Sequence, residues 1–385
     1  MKIIFLFFLV VSACFSCSRQ PEYIFESLTG DFDIMESADK TFILDSETTQ
    51  MTDCLQFADS LLIFSNEYDN SLVFYDFLTG RFKQKIKLAK EGSDGVGTSI
   101  FTYYKSKDSI FVWNYHTNTL FLLGSNAKKK WQVVVSPRFS TSVDSLLMWP
   151  VIMPRTNNLM TQSGDKLILS GMFFGEMKGE NSTNRPVLIE YDLRTGGVSY
   201  GESYPSIYHK GNWGGGFMYR FPYHTANSTG DVVLSFAADP VIRVHKIGDF
   251  SHSSSYYAGI GGNEPPIPPI EEKAGSRYLD EKKSVSHYMC NLSYSSIHYD
   301  KWNRCYYRVV NLPQKQEVDL NAPIMRKPLA LIILDDDFQI ICRKLLPDYA
   351  YLINQCFVSP EGFHIQVESD NDDIMRFKTF KFYRK

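Results

Sequence analysis

Two short stretches decide the fold: Tyr75-Asp76-Phe77-Leu78-Thr79-Gly80 and Tyr191-Asp192-Leu193-Arg194-Thr195-Gly196. Each ends an apolar run, Leu72-Val73-Phe74 in the first case and Val187-Leu188-Ile189 in the second. Each then turns through Thr-Gly into a further run, Lys85-Ile86-Lys87-Leu88 or Val198-Ser199-Tyr200. Short β-branched and aromatic runs separated by a Gly-bearing turn read as a strand hairpin. The same hairpin at matched points of two units is the internal mark of a repeat.

Working outward from these hairpins, the plan recurs. Leu61 to Phe64 precedes the first copy. The next unit has Ser109 to Trp113, Thr119 to Leu123 and Trp131 to Val135. Lys166 to Leu169 precedes the second copy. Further units follow at Asp231–Phe236 with Val241–His245, at Cys305–Val310 with Leu329–Leu334 and Gln339–Lys344, and at Phe363–Val367 with Met375–Tyr383. Six units of four strands, roughly 50 to 75 residues apart, describe an all-β, six-bladed β-propeller with four-stranded antiparallel blades. The last unit is one strand short, and Thr41-Phe42-Ile43-Leu44 near the N-terminus can supply it and close the ring. Rival architectures for the same pattern are a pair of β-sandwiches and a seven-bladed ring.

Composition agrees. The 385 residues are 44% hydrophobic and only 22% charged, enough to build a large core and too apolar for a disordered chain. A net charge of −3 gives no basic excess, so nucleic acid is not expected as a partner. The 28 Phe, 23 Tyr and 5 Trp suit packing between stacked blades.

The run Leu72 to Asp76, the loop Lys90-Glu91-Gly92-Ser93-Asp94-Gly95-Val96-Gly97 and the following Asp108-Ser109-Ile110-Phe111-Val112 carry a resemblance. The chain resembles the DUF4221-type lipoproteins of Bacteroidetes, related to other six-bladed, TolB-like propellers. The resemblance spans most of the chain beyond residue 25. It implies a fold and a cellular address, and it brings no assigned activity, cofactor or site residue.

The N-terminus supports that address. Lys2 is a short positive segment, and Ile3 to Val11 is an apolar run of roughly nine residues, too short to span a bilayer. Ser12-Ala13-Cys14 and Ser16-Cys17 both resemble the lipobox, in which the Cys becomes the lipidated first residue of the mature chain. Residues 1–17 are therefore read as signal and lipidation site with Cys14 or Cys17 as the anchor, 18–31 as a tether, and 32–385 as one propeller domain. A multiply acylated Cys holds a soluble body stably at a membrane. The expected location is the cell envelope, as an outer-membrane lipoprotein. Cys54, Cys290, Cys305, Cys342 and Cys356 remain. Cys290–Cys305 and Cys342–Cys356 are conceivable cross-strand pairs, although small buried hydrophobes are the simpler reading.

Candidate binding residues concentrate in loops. His209, Trp213, Arg220, Tyr223 and His224 form the densest group of His, Arg and aromatic residues, suited to stacking on a sugar or peptide and to clamping a carboxylate. The same cluster equally reads as an aromatic plug. Gly92, Gly95 and Gly97 are candidates for an anion-binding nest of backbone N–H groups, or simply for a crossing between blades that needs positive φ. Ala258 to His287 is the longest insert and contains the extended, Pro-rich arm Gly259 to Ile270, expected to cap one face with a short helical turn after it at Glu271 to Lys283. Acidic clusters at 335–337 and 370–373 read as hairpin tips, not calcium loops. Nucleophile-elbow, zinc-protease and phosphate-loop motifs are absent from the sequence, so no catalytic residue, metal or cofactor is assigned. The expected role is a non-catalytic binding or scaffold propeller taking a glycan, peptide or envelope protein. The alternative is a glycan or peptide hydrolase or lyase working at the channel mouth.

Overall fold

The computed structural model describes residues 32–135, 149–173, 185–214, 217–261, 266–271, 281–314 and 326–384. The candidate lipid sites Cys14 and Cys17, with the signal and tether, lie outside them.

Six antiparallel sheets follow one another along the chain. Blade 1 is Leu55–Ala58, Leu61–Asn66, Ser71–Asp76 and Phe82–Lys87. Blade 2 is Ile100–Ser106, Ser109–Asn114, Thr119–Leu123 and Lys129–Val134. In blade 3 the first strand is split into Val151–Ile152 and Thr161–Ser163, both paired to Lys166–Met172, with Pro186–Asp192 and Val198–Ser203 beyond. Blade 4 runs Pro222–Ala226, Asp231–Phe236, Val241–Lys246 and Ser253–Tyr257. Blade 5 runs Ser293–Asp300, Cys305–Asn311, Leu329–Asp335 and Ile340–Leu345. Blade 6 has Tyr351–Ser359, Gly362–Val367 and Ile374–Arg384.

The missing strand of blade 6 comes from the other end of the chain. Lys40–Ile43 pairs with the last strand, Phe42 opposite Met375, as the sequence pattern requires. A further segment, Phe32–Glu36, pairs along the same strand up to Arg384. The first hairpin quoted above locks this closure. Its Gly80 carbonyl accepts the Ile43 N–H at 3.0 Å. Gly80 has φ +67°, and a Cβ there would stand 2.0 Å from the Thr41 carbonyl oxygen. Only glycine fits both the conformation and the approach. The two hairpins share one turn chemistry. Asp76 Oδ1 accepts the Thr79 N–H at 2.9 Å, and Asp192 Oδ1 accepts the Thr195 N–H at 2.8 Å. These bonds, with Lys83 and Lys166 alongside, hold both carboxyls below the usual range, Asp76 at about 2.

Aromatic rings fill the spaces between blades. Phe42 packs edge-on to Tyr75 and Phe377, bridging blades 6 and 1. Tyr204 and Tyr208 pack on Phe236 between blades 3 and 4. Tyr307 meets Phe363 between blades 5 and 6 at 5.5 Å. Burying each such ring contributes roughly 1.5–3 kcal/mol.

One interface is also pinned by a charge. Arg308 of blade 5 is fully buried against blade 4. Its Nε donates to Ser235 Oγ, its Nη1 to the carbonyls of Pro240 and Ala258, and its Nη2 to those of Phe236 and Asp239. The guanidinium lies 3.9 Å over the Tyr294 ring. Every donor direction of the fork is used, the condition for burying such a group without large cost.

No disulfide joins the described cysteines. Cys54, Cys305, Cys342 and Cys356 are buried and Cys290 is exposed, so neither conceivable cross-strand pair is present.

Candidate functional site

The split strand of blade 3 builds the site. Between its halves run Arg155-Thr156-Asn157-Asn158. Thr156 donates its N–H to the Asp53 carbonyl and its Oγ1 accepts the Leu55 N–H, both next to blade 1. Asn157 Nδ2 donates to Asn354 Oδ1 of blade 6 at 3.0 Å, and Thr156 Oγ1 meets Gln355 Oε1 at 3.2 Å. Blade 3 stands opposite blade 6 in a six-membered ring, so a segment of one that bonds to the other must cross the axis. These residues therefore form a floor across the central channel.

Above the floor opens a mouth of about 1440 Å³. Its lining includes Asp53, Glu67, Arg155, Lys327, Asn354 and Gln355, with the exposed Tyr68 at the rim. Such a volume exceeds that of an ordinary small-ligand pocket and suits a polymeric or extended ligand.

Two charged groups shape the mouth. Glu67 accepts the Asp53 backbone N–H and also abuts the Asp53 carboxylate. Loss of solvent and then that neighbouring carboxylate push the Glu67 carboxyl above its usual value. On the far wall, Lys327 is 8% exposed. Its Nζ donates to the carbonyls of Tyr288, at 2.6 Å, and Asn291. The ammonium stands 4.2 Å over the Tyr288 ring, and burial pushes it down to about 7.

The residues singled out in the sequence occupy different places. Trp213 is 2% exposed. It packs on Tyr208 and Tyr219 and donates its Nε1 to the Lys210 carbonyl at 3.1 Å. It is a packed wedge, and the expectation of an exposed stacking surface is corrected: Ile267 to Ile270 of the insert pack against it and its flanking glycines. Gly211 and Gly214 abut Pro269 and Ile270 of the arm, and Asn212 bonds Ile270 and Glu271. The helix of that insert is longer than one turn, Glu281–Cys290. His209 is half-buried at the edge of the same wedge. Arg220 is also buried and sends Nη1 toward the Phe173 carbonyl at 3.5 Å, so it is not presented to an outside carboxylate.

Tyr223 and His224 lie side by side on the innermost strand of blade 4 and point to opposite faces. His224 Nδ1 meets Ser170 Oγ at 2.9 Å, and burial lowers its pKa to about 4. Tyr223 is buried as well, with its hydroxyl beside Ser295 and the Arg155 charge nearby. Much of the glycine loop is satisfied from within. Gly95, Val96 and Gly97 donate their N–H groups to the carbonyls of Gly92, Ala89 and Lys90. Gly92 and Gly97 take φ of +84° and +79°, as a crossing between blades requires, and the N–H groups of Gly95 and Gly97 are not offered to an anion.

Other polar pairs lie beneath the surface. Cys356 Sγ sits 3.3 Å from His298 Nε2 near the axis. Burial pushes the thiol up to about 12 and the imidazole down to about 4. Both stay neutral, the opposite of an activated thiolate–imidazolium pair. His245 lies 3.7 Å from both Glu190 and Glu202, all three sealed from solvent between blades 3 and 4. Among the described residues no group of three His, Cys, Asp or Glu side chains is arranged to hold a metal ion, the His245 group included, and no helix is long and apolar enough to cross a membrane.

Six blades, closed by an N-terminal strand and floored by an insert, define the chain as a β-propeller with one wide mouth. It belongs to the family described as Domain of unknown function (DUF4221), which residues 31–342 match. Among solved structures it is similar to a DUF4221 family member from Bacteroides vulgatus, at 20% identity and a TM-score of 0.74 over 92% of this chain and 99% of that one. It is also similar to a Bacteroides fragilis protein described as exported, at 9% identity and a TM-score of 0.51 over 93% of this chain and 97% of the other. At these identities the likeness concerns the fold. No curated protein matches the sequence.

Proposed function

We propose that the protein is a non-catalytic binding propeller of the bacterial cell envelope, tethered to the outer membrane through a lipid on Cys14 or Cys17, whose mouth takes a glycan, peptide or protein ligand. The observation that carries the reading is the floored mouth itself. It is wide and lined by amides, carboxylates, cations and an exposed Tyr, groups that hold a ligand by hydrogen bonds, charge pairing and stacking.

One observation favours the alternative, a hydrolase or lyase: the Asp53–Glu67 pair. Its geometry argues against glycoside hydrolysis, which places two carboxyls about 5 Å or more apart on either side of the bond. Here the two carboxyls touch. The Cys356–His298 pair is held neutral, with the thiol buried, and the His245 cluster is sealed.

A glycan and peptide array on residues 20–385 tests the reading, with product analysis on every hit. Retention without turnover is expected. Turnover that disappears in the Asp53→Asn, Glu67→Gln double variant would establish the enzyme instead. The anchor has its own test: Cys14→Ala with Cys17→Ala should move the protein out of the membrane fraction, and a double variant that stays there removes the lipid from the proposal.

A further inference from the structure

The mouth continues sideways into an apolar pocket of about 830 Å³ between blades 5 and 6. Leu312, Pro313, Leu345, Leu346 and Pro347 line it, and it shares Arg326, Lys327 and Tyr351 with the mouth. The boundary between a polar and an apolar space is therefore marked by a buried cation.

That cation has neutral partners. Lys327 spends two donors on carbonyls and rests on the Tyr288 ring. No carboxylate among the described residues pairs with it, whereas the adjacent Arg326 is paired with Glu368. A third ammonium direction remains for a ligand. Two buried acceptors stand on the same wall. Asn311 is 2% exposed, and its Nδ2 faces the Ser293 carbonyl and hydroxyl, which fixes the amide orientation. Its Oδ1 has no partner among the described residues, and neither does Gln314 Oε1. A buried acceptor calls for a donor.

We propose that this wall receives a free peptide C-terminus: Lys327 takes the terminal carboxylate, Asn311 and Gln314 accept N–H groups, and the side pocket takes an apolar last side chain. The proposal rests on the binding reading above and narrows its ligand to a peptide. A fatty acid supplies the carboxylate and the apolar body but no N–H donor. A neutral glycan supplies neither the charge nor the apolar group.

The test titrates the full chain with N-acetylated hexapeptides ending in Leu, Phe or Asp, with the C-terminal amides of the same peptides, and with dodecanoate. The Leu and Phe acids should bind, and their amides, the Asp peptide and dodecanoate should each bind at least roughly tenfold more weakly. Lys327→Met should weaken the acid peptides roughly ten- to a hundredfold and leave the amides unchanged. If that variant fails to fold, the acid-against-amide comparison on the unaltered protein still decides. Equal binding of acid and amide, a preference for dodecanoate, or glycan binding without peptide binding overturns the C-terminus proposal while the binding propeller stands. Cleavage of the peptides overturns both.

Discussion

Arg308 and Lys327 are both buried cations of blade 5, and they are satisfied in different ways. Arg308 is enclosed between blades 4 and 5, with its fork spent on four carbonyls and one hydroxyl. Lys327 borders the mouth, with two carbonyls, a ring face and one direction that opens on a cavity. Burial is common to both, so burial does not separate structural from recognition residues. The donor left over does. The same contrast holds for the aromatics: Trp213 is spent on packing, while Tyr68 stands exposed at the rim.

The largest effect should come from the enclosed cation. Arg308→Met removes five hydrogen bonds at once, leaving the Pro240 and Phe236 carbonyls with only their backbone donors, and should cost about 3–5 kcal/mol in denaturant unfolding. If it proved no worse than Lys327→Met, the distinction would collapse. Next comes the ring closure. Gly80→Ala drives a Cβ into the Thr41 carbonyl and should cost more than about 2 kcal/mol, whereas Gly196→Ala, with Tyr191 Oη 3.7 Å away as its nearest neighbour, should lose only about 1 kcal/mol for its positive φ. Equal losses at the two glycines would show that the closing strand is not locked by the turn.

The interior histidines sharpen the comparison through pH. Burial depresses His224 and His298 to about 4, and burial with the Lys40 charge depresses His364 to about 3. The unfolded chain binds these protons near pH 6.5, so their stabilising contribution is complete above that value. It is lost as pH falls from there toward the folded pKa, by about 1.4 kcal/mol per pH unit for each histidine. Urea midpoints at pH 7, 6 and 5 should fall accordingly, and His364→Gln should flatten the slope. The smallest stability effect belongs to Lys327→Met, within about 1 kcal/mol, because it removes a costly buried charge together with two hydrogen bonds.

The ring was legible because each blade repeats a local signal. The matched turns place their Asp, Thr and Gly identically in blades 1 and 3, and the closing strand read at Thr41–Leu44 pairs as Lys40–Ile43. Phe32–Glu36 was missed: five residues, two of them acidic, carry too little pattern to mark a strand. The site was less legible because it is assembled from distant segments. Asp53, Glu67, Arg155, Asn311, Lys327 and Gln355 come from blades 1, 3, 5 and 6 with no fixed spacing. One signal was available: four polar residues, Arg155 to Asn158, sit where blade 3 needs its first strand. Trp213 misled because glycine-rich surroundings resemble an exposed loop, and no local pattern announces that an insert some 50 residues on will fold over it.

The N-terminal strands of blade 6 have a consequence for biogenesis. Phe32–Glu36 and Lys40–Ile43 are synthesised ahead of all the blades, and their partner, Ile374–Arg384, only after blades 1 to 5. Blades 1 to 5 can each complete a sheet as they emerge, yet the circle stays open until the final strand arrives. The earliest strands spend that whole interval as unpaired edges, the condition in which chains find wrong partners. Removal of Ile374–Arg384 should therefore be felt at Phe32–Ile43, more than three hundred residues earlier, as a loss of amide-exchange protection there.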